Sequence, residues 1–189
     1  DIHEALSYIA FGLARKTDME KVRSFYQTAE AKQLLQQYVT ILHCTTQYPA
    51  PVETINLHVM ATLREEFQVP IGLSDHSEGI AVPTAAVALG AKVIEKHFTL
   101  DKTLEGPDHV ASLNPTELEQ MVEQIRQVEL ALGTAQKRPN TIELQNRIAA
   151  RKSLVAKRAI QQGELLTEEN VTVKRPGNGL APSKYWNVL

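Results

Sequence analysis

Lys92-Val93-Ile94-Glu95-Lys96-His97-Phe98-Thr99-Leu100 alternates without a break. In an extended chain Val93, Glu95, His97 and Thr99 fall on one face, and Ile94, Lys96, Phe98 and Leu100 on the other. Before this strand, the mostly apolar run Ile80 to Leu89 ends at Gly90 in the way a helix ends. Ile71-Gly72-Leu73-Ser74-Asp75, set off by Pro70, is a second short strand. Asn56 to Phe67 places Leu57, Met60, Ala61 and Leu63 on the inner edge of a helix. Val39-Thr40-Ile41-Leu42-His43-Cys44 is a buried strand that stops at Thr45-Thr46-Gln47-Tyr48-Pro49. Strand starts at Val39, Ile71 and Lys92 lie 32 and 21 residues apart, which leaves room for a crossover helix each time and predicts a parallel βα sheet. Three such strands do not close a barrel. An eight-stranded βα barrel takes about 250 residues, so the expectation is that further units precede Asp1.

Outward from this block, Asp1 to Tyr38 reads as two helices with a polar break near Arg15 to Asp18. On the other side Asn114 precedes Pro115 at the first helical position, with Glu117 placed to close a capping box. Leu118, Met121, Val122, Ile125, Val128 and Leu132 then form one stripe ending at Gly133. Thr134 to Ala150 is polar and without a sheet pattern, and is read as a linker. Residues 151–189 hold short strands and turns: Lys152 to Lys157, Gln161-Gln162-Gly163-Glu164, Val171 to Lys174 and Pro176-Gly177-Asn178-Gly179. The expected organisation is thus 1–133, 134–150 and 151–189.

Composition narrows the classes. With 43% hydrophobic and 22% charged residues the 189-residue chain can bury a core. Twenty basic against 22 acidic residues give a net charge of −2, so no net field draws it to nucleic acid or an anionic membrane. A single cysteine, Cys44, excludes an internal disulfide and a cysteine-based zinc site, and fits a reducing, cytoplasmic setting. Cys44 is expected to pack as a small apolar residue. No apolar run is long enough to span a bilayer.

Strand parity selects the candidate chemistry. Gly72, Ser74 and His76 share one face, as do Val93, Glu95 and His97, and both histidines sit at strand C-terminal ends, where βα folds carry their sites. Two inward imidazoles on neighbouring strands could bind one metal ion; two hydrogen-bonded, partly buried histidines are the plain alternative. Glu95, beneath His97, favours a polar interior. Asp108 in Gly106-Pro107-Asp108-His109 could accept hydrogen bonds from a polyhydroxy substrate or simply close a turn. Arg175, in a glycine-rich loop, is either an anion or hydroxyl clamp or a solvated surface group. His3, His43 and His58 read as structural or surface residues.

Taken together, five blocks resemble the N-acetylneuraminate (sialic acid) synthase family, with the legionaminic acid synthases as close relatives. They are Leu42-His43-Cys44-Thr45 with Tyr48-Pro49; Ile71 to Ser77 with Gly79; Ile94 to Lys102; Gly106 to His109 with Ala111-Ser112-Leu113; and Lys174 to Gly179. The resemblance implies the C-terminal part of a (β/α)8 TIM barrel followed by part of a small β-rich, antifreeze-protein-like (SAF, β-clip) domain. It implies a phosphoenolpyruvate-dependent transferase of carbohydrate biosynthesis that joins phosphoenolpyruvate to an N-acylated mannosamine-type sugar and releases phosphate. By matching positions His76 and His97 would hold a divalent cation, manganese foremost with magnesium or cobalt also suited, and Ser74 would contact phosphoenolpyruvate. Tyr48, Asp108 and Arg175 would bind the sugar, the arginine reaching the partner's site in a domain-swapped homodimer. Thr46 stands where some members carry Asn as a phosphoenolpyruvate contact. His76, His97, Asp108 and Glu95 are therefore the expected catalytic set, and the chain by itself is expected to be inactive. Two other readings stay open: a non-catalytic carbohydrate-binding or assembly module, and a metal-dependent aldolase on the same barrel.

Overall fold

Strand β2 (Ile71–Asp75) lies between β1 (Ile41–Cys44) and β3 (Ile94–Lys96) in a parallel sheet of order β1-β2-β3. The register pairs Ile41 with Ile71, Cys44 with Ser74, and Ser74 with Glu95. Every residue of β2 is buried, the polar Ser74 and Asp75 at its C-terminal end included. Gly72 is required by the close approach of its neighbours: a Cβ there would sit 2.4 Å from the Val93 carbonyl oxygen and 2.5 Å from Leu42 Cδ2. These relationships come from a computed structural model that describes all residues, Asp1–Leu189.

The chain forms two units, Asp1–Gly133 and Thr134–Leu189. In the first, α1 (Ile2–Leu13), α2 (Val22–Tyr26) and α3 (Ala29–Tyr38) precede the sheet, and α4 (Val52–Ile55) and α5 (Val59–Phe67) link β1 to β2. Helix α6 (Ala81–Ala88) links β2 to β3, and α7 (Pro115–Leu132) packs on α6. One continuous core joins Leu6, Phe11, Phe25 and Leu35 of the N-terminal helices to Met60, Ile71, Leu73 and Ala86. Full burial of each large aliphatic side chain here contributes about 1.5–3 kcal/mol. Phe11 and Phe25 meet edge to face with ring centroids 6.0 Å apart. Helix α7 starts with the expected capping box, Asn114 Oδ1 accepting from Glu117 N–H and Glu117 Oε2 from Asn114 N–H, both at 2.9 Å. Lys102, donating to Glu117 Oε1 at 2.7 Å, and then the Asn114 N–H hold that carboxyl below its ordinary range.

In the second unit β4 (Ser153–Ala156) and β5 (Val171–Lys174) pair antiparallel, and a short helix α9 (Tyr185–Val188) follows. Asn170, 1% exposed, organises the connection: Oδ1 accepts from Thr167 N–H, and Nδ2 donates to the Leu165 carbonyl at 2.9 Å.

Four expectations are corrected. The Asp1 to Tyr38 region holds three α-helices rather than two, because Thr28 Oγ1 accepts from Ala31 N–H and starts α3 afresh. The run read as a strand over Lys92 to Leu100 keeps ladder geometry only at Ile94–Lys96; Phe98 makes an isolated bridge to Leu113, and Phe98 and Leu100 are exposed. The segment read as a linker forms helix α8 (Thr141–Ala150), started by a second capping box between Asn140 and Glu143. Cys44 is exposed rather than packed as a core residue.

Candidate active site

Ser74 and Glu95, each on the candidate face of its own strand, are register partners whose side chains touch: Ser74 Oγ donates to Glu95 Oε1 at 2.6 Å. Immediately beyond the two strand ends, the His76 and His97 rings stand perpendicular, 88° apart in plane, with centroids at 5.2 Å. Tyr48, from the loop after β1, lies against both rings at 4.1 Å and 5.6 Å. That loop is tied to the histidine by two bonds, Ala50 N–H to the His76 carbonyl at 2.8 Å and His76 Nδ1 to the Thr45 carbonyl at 2.9 Å. Because a carbonyl only accepts, Nδ1 carries the proton. Nε2 is then the ring nitrogen left available as a ligand.

That hydrogen bond fits metal ligation. A ligating imidazole ordinarily donates its other ring N–H to a carbonyl or carboxylate, which fixes tautomer and ring orientation. His97 is the second imidazole, and no group of three or more His, Cys, Asp or Glu side chains gathers around one point. Asp108 Oδ2 lies 3.9 Å from His97 Nδ1, within ionic range and beyond hydrogen-bond length. Its loop is anchored by Ser112, whose hydroxyl donates to the Asp108 carbonyl at 2.7 Å, and by Leu113 N–H bonded to the His97 carbonyl at 2.9 Å. Tyr48, His76, His97 and Asp108 line one small cavity. A separate cavity of about 660 Å³ between α1 and α2 contains none of these residues.

Six of the eight expected site residues therefore converge: Ser74, His76, Glu95, His97, Tyr48 and Asp108. Thr46 is exposed on the same loop as Tyr48. Arg175 belongs to the second unit, exposed just after β5. Sequence reasoning missed two features. Cys44 Sγ approaches His76 Nδ1 at 3.8 Å. Lys96 and Asp75 form a buried ion pair, Nζ to Oδ2 at 2.6 Å, on the opposite face of the same strands. Their being register partners on adjacent strands was the available signal.

The NeuB family model matches residues 5–137 of the chain, and the SAF domain model matches residues 151–189. The chain belongs to the NeuB family. Among its relatives, the N,N'-diacetyllegionaminic acid synthase of Campylobacter jejuni is 46% identical over 96% of this chain and 53% of its own length. The human N-acetylneuraminate-9-phosphate synthase is 41% identical over 90% of this chain and 47% of its own. The solved N-acetylneuraminic acid (sialic acid) synthetase of Leptospira borgpetersenii, in complex with citrate, aligns with a TM-score of 0.55 at 34% identity, covering 69% of this chain and 45% of that one. The chain thus spans about half the length of the curated relatives it matches. Within the NeuB family fold, the paired histidines and the Ser74–Glu95 couple occupy the C-terminal edge of the parallel strands, where βα folds place their chemistry. No helix of the chain is long and apolar enough to cross a membrane.

Proposed function

We propose that the protein carrying this chain is a cytoplasmic nonulosonic acid synthase that condenses phosphoenolpyruvate with an N-acylated mannosamine-type sugar. The observation that carries this reading is the convergence of His76, His97, Tyr48 and Asp108 above the Ser74–Glu95 couple. A carbon–carbon bond forms between the phosphoenolpyruvate methylene and the aldehyde carbon of the open-chain sugar. Water then adds to the former enol carbon, and inorganic phosphate leaves. The residues would hold a divalent cation, manganese with magnesium or cobalt as alternatives, through His76 and His97, and that cation would supply Lewis-acid charge at the aldehyde oxygen.

The chain's own groups do the rest. Ser74 donates its one hydroxyl hydrogen to Glu95, which sets the carboxylate's position for proton transfer as water adds, and turns that hydroxyl to phosphoenolpyruvate when the substrate binds. Tyr48 and Asp108 flank the imidazoles and bind sugar hydroxyls. Thr46, on the same loop, supplies a further phosphoenolpyruvate contact. Arg175, in a homodimer, closes the sugar site of the partner.

The test is phosphate release by the full-length protein given phosphoenolpyruvate and either N-acetylmannosamine or a diacetamido hexose. Metal-dependent turnover with one of them, abolished in His76→Ala and in His97→Ala, is expected. Undiminished turnover of both variants in the presence of chelator would overturn the metal assignment, and phosphate-free cleavage of the sugar acid would favour an aldolase.

A further inference from the structure

Lys96 and Asp75 are the most deeply buried ionic groups in the first unit, with side chains 3% and 0% exposed. Their bonding is closed on itself. Lys96 Nζ donates to Asp75 Oδ2 at 2.6 Å and to the Ser77 carbonyl at 2.5 Å. Asp75 Oδ1 accepts from the Ser77 backbone N–H at 3.0 Å and from the Ser77 hydroxyl at 2.8 Å. Ser77 itself is 1% exposed.

A buried ion pair is an inefficient way to stabilise a fold. Desolvation offsets most of its attraction, and an apolar pair of similar volume often does as well or better. The position of this pair points to another role. The β2–β3 ladder ends at the rung that pairs Asp75 with Lys96. His76 and His97 are the residues next after each strand, beyond the reach of ladder bonds. Asp75 and Ser77 bracket His76, so the network straps the peptide on both sides of that imidazole to the residue adjoining His97.

We propose that Asp75, Lys96 and Ser77 form a positioning clamp that sets the separation of the His76 and His97 imidazoles for one shared divalent cation. The clamp rests on the proposed function in one respect, that the two histidines bind a common metal. It acts through the imidazoles, from the wall of the small cavity that they share with Tyr48 and Asp108. Without it each histidine would still be carried by its own strand end, and the pair would lose its fixed spacing. Supporting groups of this kind typically govern about 10–100-fold of metal affinity.

The experiment measures Mn²⁺ affinity by titration calorimetry, and the visible absorption of the Co²⁺ form, in the full-length protein. The double variant Asp75→Asn/Lys96→Met removes both charges together and leaves no unpaired buried ion. It is expected to keep its circular dichroism and to bind Mn²⁺ about 10–100-fold more weakly, with an altered Co²⁺ spectrum. Ser77→Ala, which deletes one hydroxyl bond, is expected to weaken Mn²⁺ binding about 2- to 10-fold. It carries the test if the double variant does not fold. Wild-type protein that fails to bind Mn²⁺ or Co²⁺ would overturn the shared-metal reading and the clamp with it. Wild-type binding with unchanged affinity and spectrum in a folded variant would overturn the clamp alone.

Discussion

Ser74 donates its hydroxyl hydrogen to Glu95 at 2.6 Å across the rung that pairs them on β2 and β3. Ser74 is buried and Glu95 exposed, so the bond fixes an accessible carboxylate from behind. A hydrogen bond to a charged group contributes about 1.5–3 kcal/mol, which corresponds to about 10- to 100-fold in a rate or affinity. Ser74→Ala should therefore lower kcat/KM for phosphoenolpyruvate by about that factor while leaving the circular dichroism unchanged. Glu95→Gln keeps the bond and removes the base, so it should lower kcat more than it raises KM. Steady-state kinetics in phosphoenolpyruvate separate the two, and equal kinetics for wild type and Ser74→Ala would remove Ser74 from the site.

Two glycines in the same unit should respond oppositely to a methyl group. At Gly72 the new Cβ would meet the Val93 carbonyl at 2.4 Å, and that carbonyl already accepts from Leu73 N–H at 2.9 Å. The carbonyl is backbone and cannot swing aside as the Leu42 methyl at 2.5 Å could. Gly72→Ala should destabilise the protein by about 1–3 kcal/mol through overpacking. At Gly12 nothing lies within 4 Å, and the residue sits inside α1. Gly12→Ala should stabilise by about 0.5–1 kcal/mol. Urea denaturation of the two variants measures the difference, and a stabilised Gly72→Ala would mean that β1 and β3 separate more readily than their packing implies.

The βα order and the shared face of Ser74 with His76 and of Glu95 with His97 were legible because period-two alternation assigns faces without knowledge of partners. Strand length was not. Past Lys96 the alternation continues in sequence, yet no neighbouring strand takes up the ladder, so Phe98 and Leu100 lose the burial their pattern implied. Helix α8 escaped for a different reason. It buries no residue, so its apolar positions leave no clear stripe, although Asn140 and Glu143 repeat the spacing that identified Asn114 and Glu117. Asp75 and Lys96 went unpaired because parity assigns faces on each strand separately and does not say which residues of two strands meet. Only the register, which pairs them, shows that the two charges answer each other.

Acid should weaken the second unit through Glu164. Arg158, whose guanidinium pairs with Glu164 Oε1 at 2.5 Å, and then the Gln161 N–H lower its pKa to about 2 from 4.5. A carboxyl depressed by folding stabilises the native state above its unfolded value, and that contribution is lost as pH falls through the folded value. The stability gap between wild type and Glu164→Gln should accordingly be constant above about pH 4.5 and close between there and about pH 2. The pair is open to solvent, so added salt should shrink the gap. Denaturation midpoints across this range supply the check, and a gap that widened as pH fell would reverse the assignment.

Arg175 is expected to act across a subunit boundary, closing the sugar site of a homodimer partner. Charge-assisted hydrogen bonds of this kind contribute about 1.5–3 kcal/mol each. Arg175→Ala should then raise the KM for the sugar and leave Mn²⁺ affinity as in wild type. Mixing makes the boundary visible. A dimer of one Arg175→Ala and one His97→Ala subunit holds, if the arginine crosses over, one site in which both residues are wild type and one in which both are lost. Random exchange gives about half mixed dimers, hence about a quarter of the wild-type sites. At limiting sugar, where each variant alone turns over little, the exchanged mixture should recover about that fraction of wild-type activity. If Arg175 served its own chain's site, every site in the mixed dimer would carry one lesion, and verified subunit exchange would restore nothing.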